Sequence, residues 1–196
     1  MQLCERMGSR RQLQEYMKRF STKGFADFLF KQYLDQGKLQ QLLSFSEDFP
    51  QELGKFLEPH DNLSWMHQVV TQDYNRAHQT LHRMAKGEAK YVGKKKTLLS
   101  LSKLSMLASD STDTETLQTL NRELQVIEFQ QNIPTEALEA NGLVPEEMPP
   151  LQPEEIIQLY VGDKNFDGDE MQYIFALEFL DLAYPCLLYT SDAADE

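Results

Sequence analysis

The stretch Asp73-Tyr-Asn-Arg-Ala-His-Gln-Thr-Leu-His-Arg-Met-Ala-Lys-Gly87 indicates the fold class of this 196-residue chain. Side chains suited to an interior recur every three or four residues, at Tyr74, Ala77, His78, Leu81, Met84 and Ala85. The opposite side of the pattern is polar and consists of Asn75, Arg76, Gln79, Thr80 and Arg83. This period predicts a helix with one apolar stripe, which neighbouring elements must cover.

The segment Lys94 to Ala108 has a second helical pattern, with apolar residues on more than one side. One predicted face holds Leu98, Leu101, Leu104 and Ala108, with Leu99 and Met106 beside it. Small side chains at Ser100, Ser102 and Ser105 leave room for other helices to approach. We therefore expect this helix to lie between neighbours, in a stack that works through shape and contact.

Helical patterns cover most of the chain, whereas strand-like alternation is nearly absent. The predicted helices are Leu3–Arg19, Phe25–Gln36, Lys38–Phe45, Gln51–Leu57, Leu63–Thr71, Asp73–Gly87, Lys94–Ser109, Thr114–Gln131, Pro134–Ala140, Pro153–Val161 and Asp169–Ala183. Thr112 and Glu115 predict a capping box before the eighth of these helices. We predict an all-α fold, an irregular α-helical stack of the α-solenoid type.

Proline and glycine suggest one internal boundary in this stack. Asn141-Gly142 predicts a helix stop, so residues 1–142 are expected to form the first part of the stack. Prolines at 145, 149, 150 and 153 follow it. We expect residues 143–185 to form a Pro-rich turn and further helices of the same stack.

Charge is distributed unevenly between the two halves of the chain. Residues 1–109 hold 17 basic and 11 acidic groups, a balance of +6, whereas residues 110–196 hold 2 and 20, a balance of −18. The lysines between Lys86 and Lys103 could be read as a nucleic-acid footprint, but few aromatic residues accompany them and the net charge of −12 repels phosphate. We therefore predict no direct nucleic-acid contact, and the basic-helix binder remains a rival interpretation.

Neither a membrane segment nor a secretory signal is evident from the sequence. No run approaches the roughly 20 apolar residues of a membrane helix, and charges interrupt residues 1–11. Cys4 and Cys186 lie near opposite ends, and neither has a second cysteine nearby. We expect an intracellular protein in a reducing compartment, with no direct membrane contact.

Three short motifs suggest ligand sites, and each departs from its pattern. Asp163-Lys-Asn-Phe-Asp-Gly-Asp169 matches the opening of a calcium loop, but its twelfth position is Ile174 instead of glutamate. Gly87 and Gly93-Lys94 have the wrong spacing for a phosphate loop. His78 and His82 are one helical turn apart without a third ligand close in sequence, so we expect a packed His78 and a half-exposed His82.

No catalytic, cofactor-binding or metal-binding residues are predicted, because the motifs of nucleophilic and dinucleotide-dependent enzymes are absent. We expect neither enzymatic activity nor a small-molecule substrate. The alternative function is a calcium-responsive helical adaptor that uses the turn from Asp163 to Asp169.

Aromatic and leucine residues near the amino end point in more directions than one core face requires. The sequence Phe25-Ala-Asp-Phe-Leu-Phe-Lys-Gln-Tyr-Leu34 is followed closely by Lys38-Leu-Gln-Gln-Leu-Leu-Ser-Phe45. Such residues are either covered by adjacent helices or offered to a partner. Trp65 is expected in the core with Met66 and Val69. The predicted partner-binding residues are Phe28, Lys38, Leu39, Leu42 and Leu43.

Several long stretches resemble the carboxy-terminal α-helical region of the hundred-and-thirty-three-kilodalton nucleoporin family, part of the Y-shaped scaffold of the nuclear pore complex. They are Cys4-Glu-Arg-Met-Gly-Ser-Arg-Arg-Gln-Leu-Gln-Glu-Tyr-Met17, Asp27-Phe-Leu-Phe30, Leu63-Ser-Trp65 and Lys94-Lys-Lys-Thr-Leu-Leu-Ser-Leu-Ser-Lys-Leu104. The resemblance covers most of Cys4 to Ala183 and implies a structural role. It implies tail-to-tail docking on another scaffold nucleoporin of the Y-complex stem, in support of nucleocytoplasmic transport and mRNA export.

The same resemblance implies a location at the nuclear pore complex of the nuclear envelope, with the kinetochore as a mitotic location. The family's amino-terminal β-propeller has no counterpart in this sequence. Residues 186–196, Cys-Leu-Leu-Tyr-Thr-Ser-Asp-Ala-Ala-Asp-Glu, also have none and resemble translated vector read-through, so we predict a non-native tail.

The family's chain continues beyond the helix that ends near Ala183. We therefore expect an apolar face at Phe175, Leu177, Phe179 and Leu182 to lack neighbours, and poor solubility to follow. A monodisperse sample with a sharp thermal transition would contradict this expectation.

Overall fold

The computed structural model describes residues 15–16, 19, 24–110, 113–162 and 170–184. The described residues form ten α-helices and two short 3-10 helices, and no strand occurs among them. The α-helices are α1 (Phe25–Asp35), α2 (Leu39–Leu43), α3 (Pro50–Leu57), α4 (Asp61–Val70), α5 (Tyr74–Gly87), α6 (Val92–Ala108), α7 (Thr114–Gln131), α8 (Thr135–Ala140), α9 (Pro153–Val161) and α10 (Glu170–Ala183). The predicted all-α helical stack is therefore confirmed.

The chain divides into two compact units, Met1–Thr80 and Leu81–Glu196, with the division inside α5. The Pro-rich stretch after Gly142, where the sequence suggested a boundary, lies within the second unit. Most predicted helix limits agree with the structure to within two residues. The helix Leu3–Arg19 lies outside the described residues except at Glu15, Tyr16 and Arg19, and so do the turn Asp163–Asp169 and residues 186–196.

The first unit has an aromatic core where α1, α2 and α3 pack together. The ring of Phe30 lies with its centroid 5.7 Å from that of Phe45 and 5.5 Å from that of Phe56. Tyr33 meets Phe45 edge to face at 5.5 Å. Tilted and edge-to-face pairs at these distances are favoured by the ring quadrupoles, in addition to the apolar area they bury.

A buried histidine joins α3 and α4 in the first unit. His67 is 5% exposed, and its Nδ1 lies 2.9 Å from the hydroxyl of Ser46. The ring also bonds the backbone of Pro50, which has only a carbonyl to offer, so a ring N–H donates there and Ser46 donates to Nδ1. Gly54 permits this approach, because a Cβ at that position would lie 3.1 Å from His67 Nε2.

The second unit packs α6 on α7, and α9 and α10 on each other and on α7. Its irregular Pro-rich segment is held by the buried side chain of Gln130. The Gln130 amide nitrogen donates to the Pro149 carbonyl at 2.6 Å, and its oxygen accepts from the Leu151 amide at 3.0 Å. Nearby, the Val92 amide donates to the Met148 carbonyl at 2.9 Å. Backbone groups at Met148, Pro149 and Leu151 are therefore paired although they lie outside a regular helix.

Helix ends in the second unit follow local capping chemistry. The start of α7 is capped by Asp113, whose Oδ1 accepts from the Thr116 amide at 3.0 Å. The predicted cap at Thr112 was therefore wrong, and Thr112 itself lies outside the described residues. At α9, Gln152 and Glu155 form a reciprocal capping box after the prolines.

The buried face of α6 differs from the predicted one. Leu98, Leu99, Ser102, Ser105 and Met106 are buried, whereas Leu104 and Leu107 are 62% and 59% exposed. The expected interior position of Leu104 is wrong, whereas the expectation that small serines allow close helix approach agrees with the burial of Ser102 and Ser105. In the structure two serines lie in the closely packed face, where a small side chain lets a neighbouring helix approach.

The apolar stripe of α5 is largely as expected. Ala77, His78, Leu81 and Ala85 are buried, and Tyr74 and Met84 are partly buried. Thr80 is also buried, so its placement on the polar side was wrong. Threonine also carries an apolar methyl group, so its polarity alone does not predict on which side of a helix it lies.

We expect the stability of the first unit to fall as the pH drops below about 6.5, the ordinary histidine pKa. Burial lowers the pKa of His67, opposed in part by its bond to Pro50. The unfolded chain then binds a proton more readily than the folded one, so stability is full above the unfolded pKa and declines below it by up to about 1.4 kcal/mol per pH unit. Urea titrations between pH 5 and 7.5, followed by the fluorescence of the single tryptophan, Trp65, measure this.

His67→Gln supplies a neutral donor and acceptor and should flatten this pH dependence. The matched control is His60→Gln on an exposed residue at the start of α4, which should leave the slope unchanged. Equal slopes in the wild-type protein and in His67→Gln would contradict the assignment.

Gln130→Ala should destabilise the second unit by about 1–3 kcal/mol, because the Pro149 carbonyl and the Leu151 amide lose their partner in the interior. Urea unfolding followed by far-ultraviolet circular dichroism measures the change. Gln118→Ala, on the exposed side of the same helix, is the control. A Gln130→Ala protein as stable as this control would show that the two bonds contribute little.

Candidate partner-binding surface

The predicted partner-binding residues lie on and after α1, in the first unit. The interior face of α1 is formed by Ala26, Leu29, Phe30 and Tyr33. Phe28 lies on the other side of the helix, because two residues turn an α-helix by about 200°. Its ring is 56% exposed, which is unusual for an aromatic residue in a helix beside an aromatic core.

A turn at Gly37 positions the next two predicted residues, Lys38 and Leu39. Gly37 has φ +67°, a conformation in which a side chain is strained, and its amide donates to the Leu34 carbonyl at 3.0 Å. The Lys38 amide donates to the Tyr33 carbonyl at 3.0 Å, which completes the end of α1. Leu39 then begins α2 and is 39% exposed.

Leu42 is not at the surface, contrary to the prediction. It has no exposed area and belongs to the core of the first unit, while Leu43 is partly buried against the same core. The reason is the helical period: α2 is short and turns one leucine of the Leu42-Leu43 pair inward. Phe28, Lys38, Leu39 and part of Leu43 therefore remain as the accessible members, and we name them the α1–α2 surface.

A second candidate surface is a groove of about 380 Å³ between α7 and α10. It is lined by Gln125, Glu128, Phe129 and Asn132 from α7, and by Phe175 and Glu178 from α10. We name it the α7–α10 groove. Its apolar part is the pair Phe129 and Phe175, and its charged side chains are both carboxylates.

Aromatic contacts hold the two walls of the α7–α10 groove together. The rings of Phe129 and Phe179 lie 5.2 Å apart, and Phe179 is fully buried. Its predicted lack of neighbours was therefore wrong, whereas Phe175 and Leu177 are exposed as expected. The Tyr160 hydroxyl donates to the Phe129 carbonyl at 2.7 Å, and burial raises the Tyr160 pKa to about 12.

The apolar excess of α10 is visible in the sequence, but the groove is not. Met171, Tyr173, Ile174, Phe175 and Leu177 are all exposed, on several sides of the helix. Their number indicates more apolar surface than one interface needs. The contribution of α7 to the groove could not be found in the same way, because it depends on which face of α7 meets α10.

The packed position predicted for His78 is confirmed, whereas the side chain of His82, predicted to be half-exposed, is only 15% exposed. His78 is buried, and His82 is partly buried with its Nε2 3.0 Å from Glu123 Oε2. Across the described part of the chain, no three His, Cys, Asp or Glu side chains are grouped closely enough to hold a metal ion.

Two lysines at the start of α6, Lys94 and Lys96, are bonded to other side chains of the protein. Lys94 Nζ lies 2.6 Å from Glu88 Oε2, and Lys96 Nζ donates to Gln131 Oε1 at 2.8 Å. The bond from Lys94, with the amides of Lys90 and Tyr91, lowers the Glu88 pKa to about 2. Lys94 thus holds Glu88 of the loop before α6, whereas Lys96 links α6 to the end of α7.

Trp65 is partly buried on α4, close to the interior position expected for it, and Met66 packs against the core of the first unit. Among the described helices, none is long and apolar enough to cross a membrane.

Comparison with known proteins identifies relatives along most of the chain. The family described as non-repetitive/WGA-negative nucleoporin, C-terminal, matches residues 5–154. The nuclear pore complex protein Nup133 of Danio rerio is 43% identical over 183 residues, which is 92% of this chain and 16% of that protein. The Nup133 proteins of Mus musculus and Homo sapiens are 37% and 36% identical over the same lengths.

The chain thus spans about 16% of the length of these relatives. The family match covers far more than half of the chain and includes both the α1–α2 surface and α7. On this evidence, the chain belongs to the non-repetitive/WGA-negative nucleoporin C-terminal family.

Proposed function

We propose that this chain is a structural segment of a nuclear pore scaffold, located at the nuclear pore complex of the nuclear envelope. It binds another scaffold nucleoporin of the Y-complex stem, tail to tail, and so supports nucleocytoplasmic transport and mRNA export. Its role is architectural and does not involve catalysis. The support for this role is membership of the nucleoporin family and similarity to proteins named for the nuclear pore complex.

The observation that carries the docking proposal is the exposure of Phe28 and Leu39 on helices that pack against each other. Each side chain lies on a helix that is anchored in the core, since Leu29 and Phe30 of α1 and Leu42 of α2 have no exposed area. An aromatic and an aliphatic anchor on a fixed base lose little conformational entropy on binding. Lys38, which is partly buried, would supply a polar rim beside them.

Leu42 anchors α2 in the core and is not itself part of this surface. Because it is buried, Leu42→Asp would place a carboxylate in the core and unfold the unit instead of testing the interface. A test of docking must therefore use the exposed residues.

The double variant Phe28→Glu, Leu39→Asp should lose binding to the scaffold partner and remain folded. Glutamate is a good helix former, and an acidic residue is favoured in the first turn of α2. Loss of two interface anchors should cost roughly 2 kcal/mol or more, or about thirtyfold in affinity. Pull-down from nuclear envelope extract, with identification of scaffold nucleoporins by mass spectrometry, followed by titration of the purified partner, measures this.

Leu104→Glu, Leu107→Glu is the matched control, because it also replaces two exposed apolar residues by acids, on α6. It should bind as the wild-type chain does. Circular dichroism and thermal melting establish that both variants fold. Unchanged binding by a folded Phe28→Glu, Leu39→Asp variant would place the interface elsewhere.

A further inference from the structure

We propose that Asn141-Gly142, at the end of α8, is a site of spontaneous deamidation and that local opening of this helix end sets the rate. In this reaction the Gly142 backbone nitrogen attacks the side-chain carbonyl carbon of Asn141. A nitrogen–carbon bond forms, the bond to the side-chain nitrogen breaks, and that nitrogen leaves as ammonia with the proton from Gly142. Water then opens the succinimide ring to aspartate or isoaspartate. The inference does not depend on the docking proposal.

The sequence favours this reaction at one asparagine. Only Asn141 precedes a glycine, whereas larger residues follow the other asparagines, which are Asn62, Asn75, Asn121, Asn132 and Asn165. Glycine lacks a Cβ and adopts more backbone conformations than other residues, so its nitrogen reaches the preceding side chain most readily. Asn141 and Gly142 are both exposed, so water has access to the site.

The folded structure holds the attacking nitrogen away from its target. Helix α8 ends in a Schellman motif, in which Gly142 has φ +73° and its amide donates to the Glu139 carbonyl at 2.9 Å. The Leu143 amide completes the motif by donating to the Leu138 carbonyl at 2.9 Å. At the Asn141 ψ of 8°, the Gly142 nitrogen nearly eclipses the Asn141 nitrogen. The succinimide ring requires it to eclipse Cβ instead, so the backbone must rotate before the reaction.

The side-chain amide of Asn141 is held as well. Its Nδ2 donates to the Ala137 carbonyl at 2.9 Å, one of the last carbonyls of α8. The side chain cannot turn toward the Gly142 nitrogen without breaking this bond. Deamidation therefore requires that the bonds of Asn141 and Gly142 open together.

The end of α8 is suited to local opening. The helix has six residues, fewer than an isolated helix needs in water, and it is held through the buried side chains of Ala137 and Leu138. Exposed bonds at a helix end open with less free energy than the whole domain needs to unfold. We therefore expect the reaction to proceed from locally opened states of the folded chain.

The product would keep this helix end open. Aspartate replaces the Nδ2 donor by a carboxylate, which the Ala137 carbonyl and the negative end of the helix repel. Glu136 and Glu139 add like charge, and α8 contains no basic residue. Isoaspartate instead adds one backbone atom before Gly142, which disrupts the register of the Schellman motif.

Peptide mapping of the full chain in water labelled with heavy oxygen tests the site, because each new carboxyl group gains the label. The matched control is Asn132, which also ends a helix but precedes isoleucine. At neutral pH we expect conversion at Asn141 to be roughly tenfold faster or more, with isoaspartate among the products. Equal rates at the two asparagines would overturn the proposal.

Denaturant distinguishes local from global opening. The chain unfolded in guanidinium chloride should convert Asn141 roughly tenfold faster or more than the folded chain, because the protecting bonds are absent. Below the unfolding transition the rate should change little with denaturant, since local opening exposes little surface. A rate that followed the globally unfolded population, or equal rates in the folded and unfolded chains, would overturn the proposal.

Hydrogen exchange measures the same opening independently. The protection factor of the Gly142 amide should agree within about threefold with the ratio of the unfolded to the folded deamidation rate, because both processes break its bond to Glu139. A deamidation rate far above that allowed by this protection would overturn the gating.

A variant tests the effect of the product. Asn141→Asp should lower the protection of the Gly142 amide roughly threefold or more, because it adds a charge that the helix end repels. The control Asn75→Asp, at an exposed position near the start of α5, should leave that protection unchanged. Equal protection in the two variants would overturn the effect assigned to the product.

Discussion

Helices too short to be stable alone require their neighbours, and this requirement explains most of the structure. In water, isolated helices of fewer than about 12–15 residues are marginal, and α1 to α4 have 11, 5, 8 and 10 residues. They persist because their apolar faces are buried together around Phe30, Phe45 and Phe56. The helices of the first unit, and the surface that they form, therefore depend on its aromatic core.

The periodicity of apolar residues was sufficient to predict the fold class, and two helices, Thr114–Gln131 and Pro153–Val161, have the predicted limits. Where the prediction failed, burial depended on tertiary contacts. Leu104 is exposed and Ser102 is buried on the same helix, because the neighbours of α6 select its closely packed face. Hydrophobicity alone would place Leu104 in the interior and Ser102 at the surface.

The candidate surfaces were likewise predictable from the sequence only in part. Phe28, Lys38 and Leu39 were proposed from residue type, and Phe28 and Leu39 are exposed in the structure. Leu42 was misassigned because adjacent leucines cannot be distinguished without the exact rotation of a five-residue helix. The α7–α10 groove needed the structure, since its walls come from segments about 50 residues apart in sequence. Such a pairing leaves no local signal.

The side chain of Gln130 holds the irregular segment that leads into α9, through its bonds to Pro149 and Leu151. Helix α9 packs against α10, and α10 forms one wall of the groove. Through α9, that wall is therefore connected to the amide side chain of Gln130 on α7, which does not itself line the groove. A substitution at this one interior position in a relative would therefore alter the shape of the α7–α10 groove while every residue that lines it stayed the same.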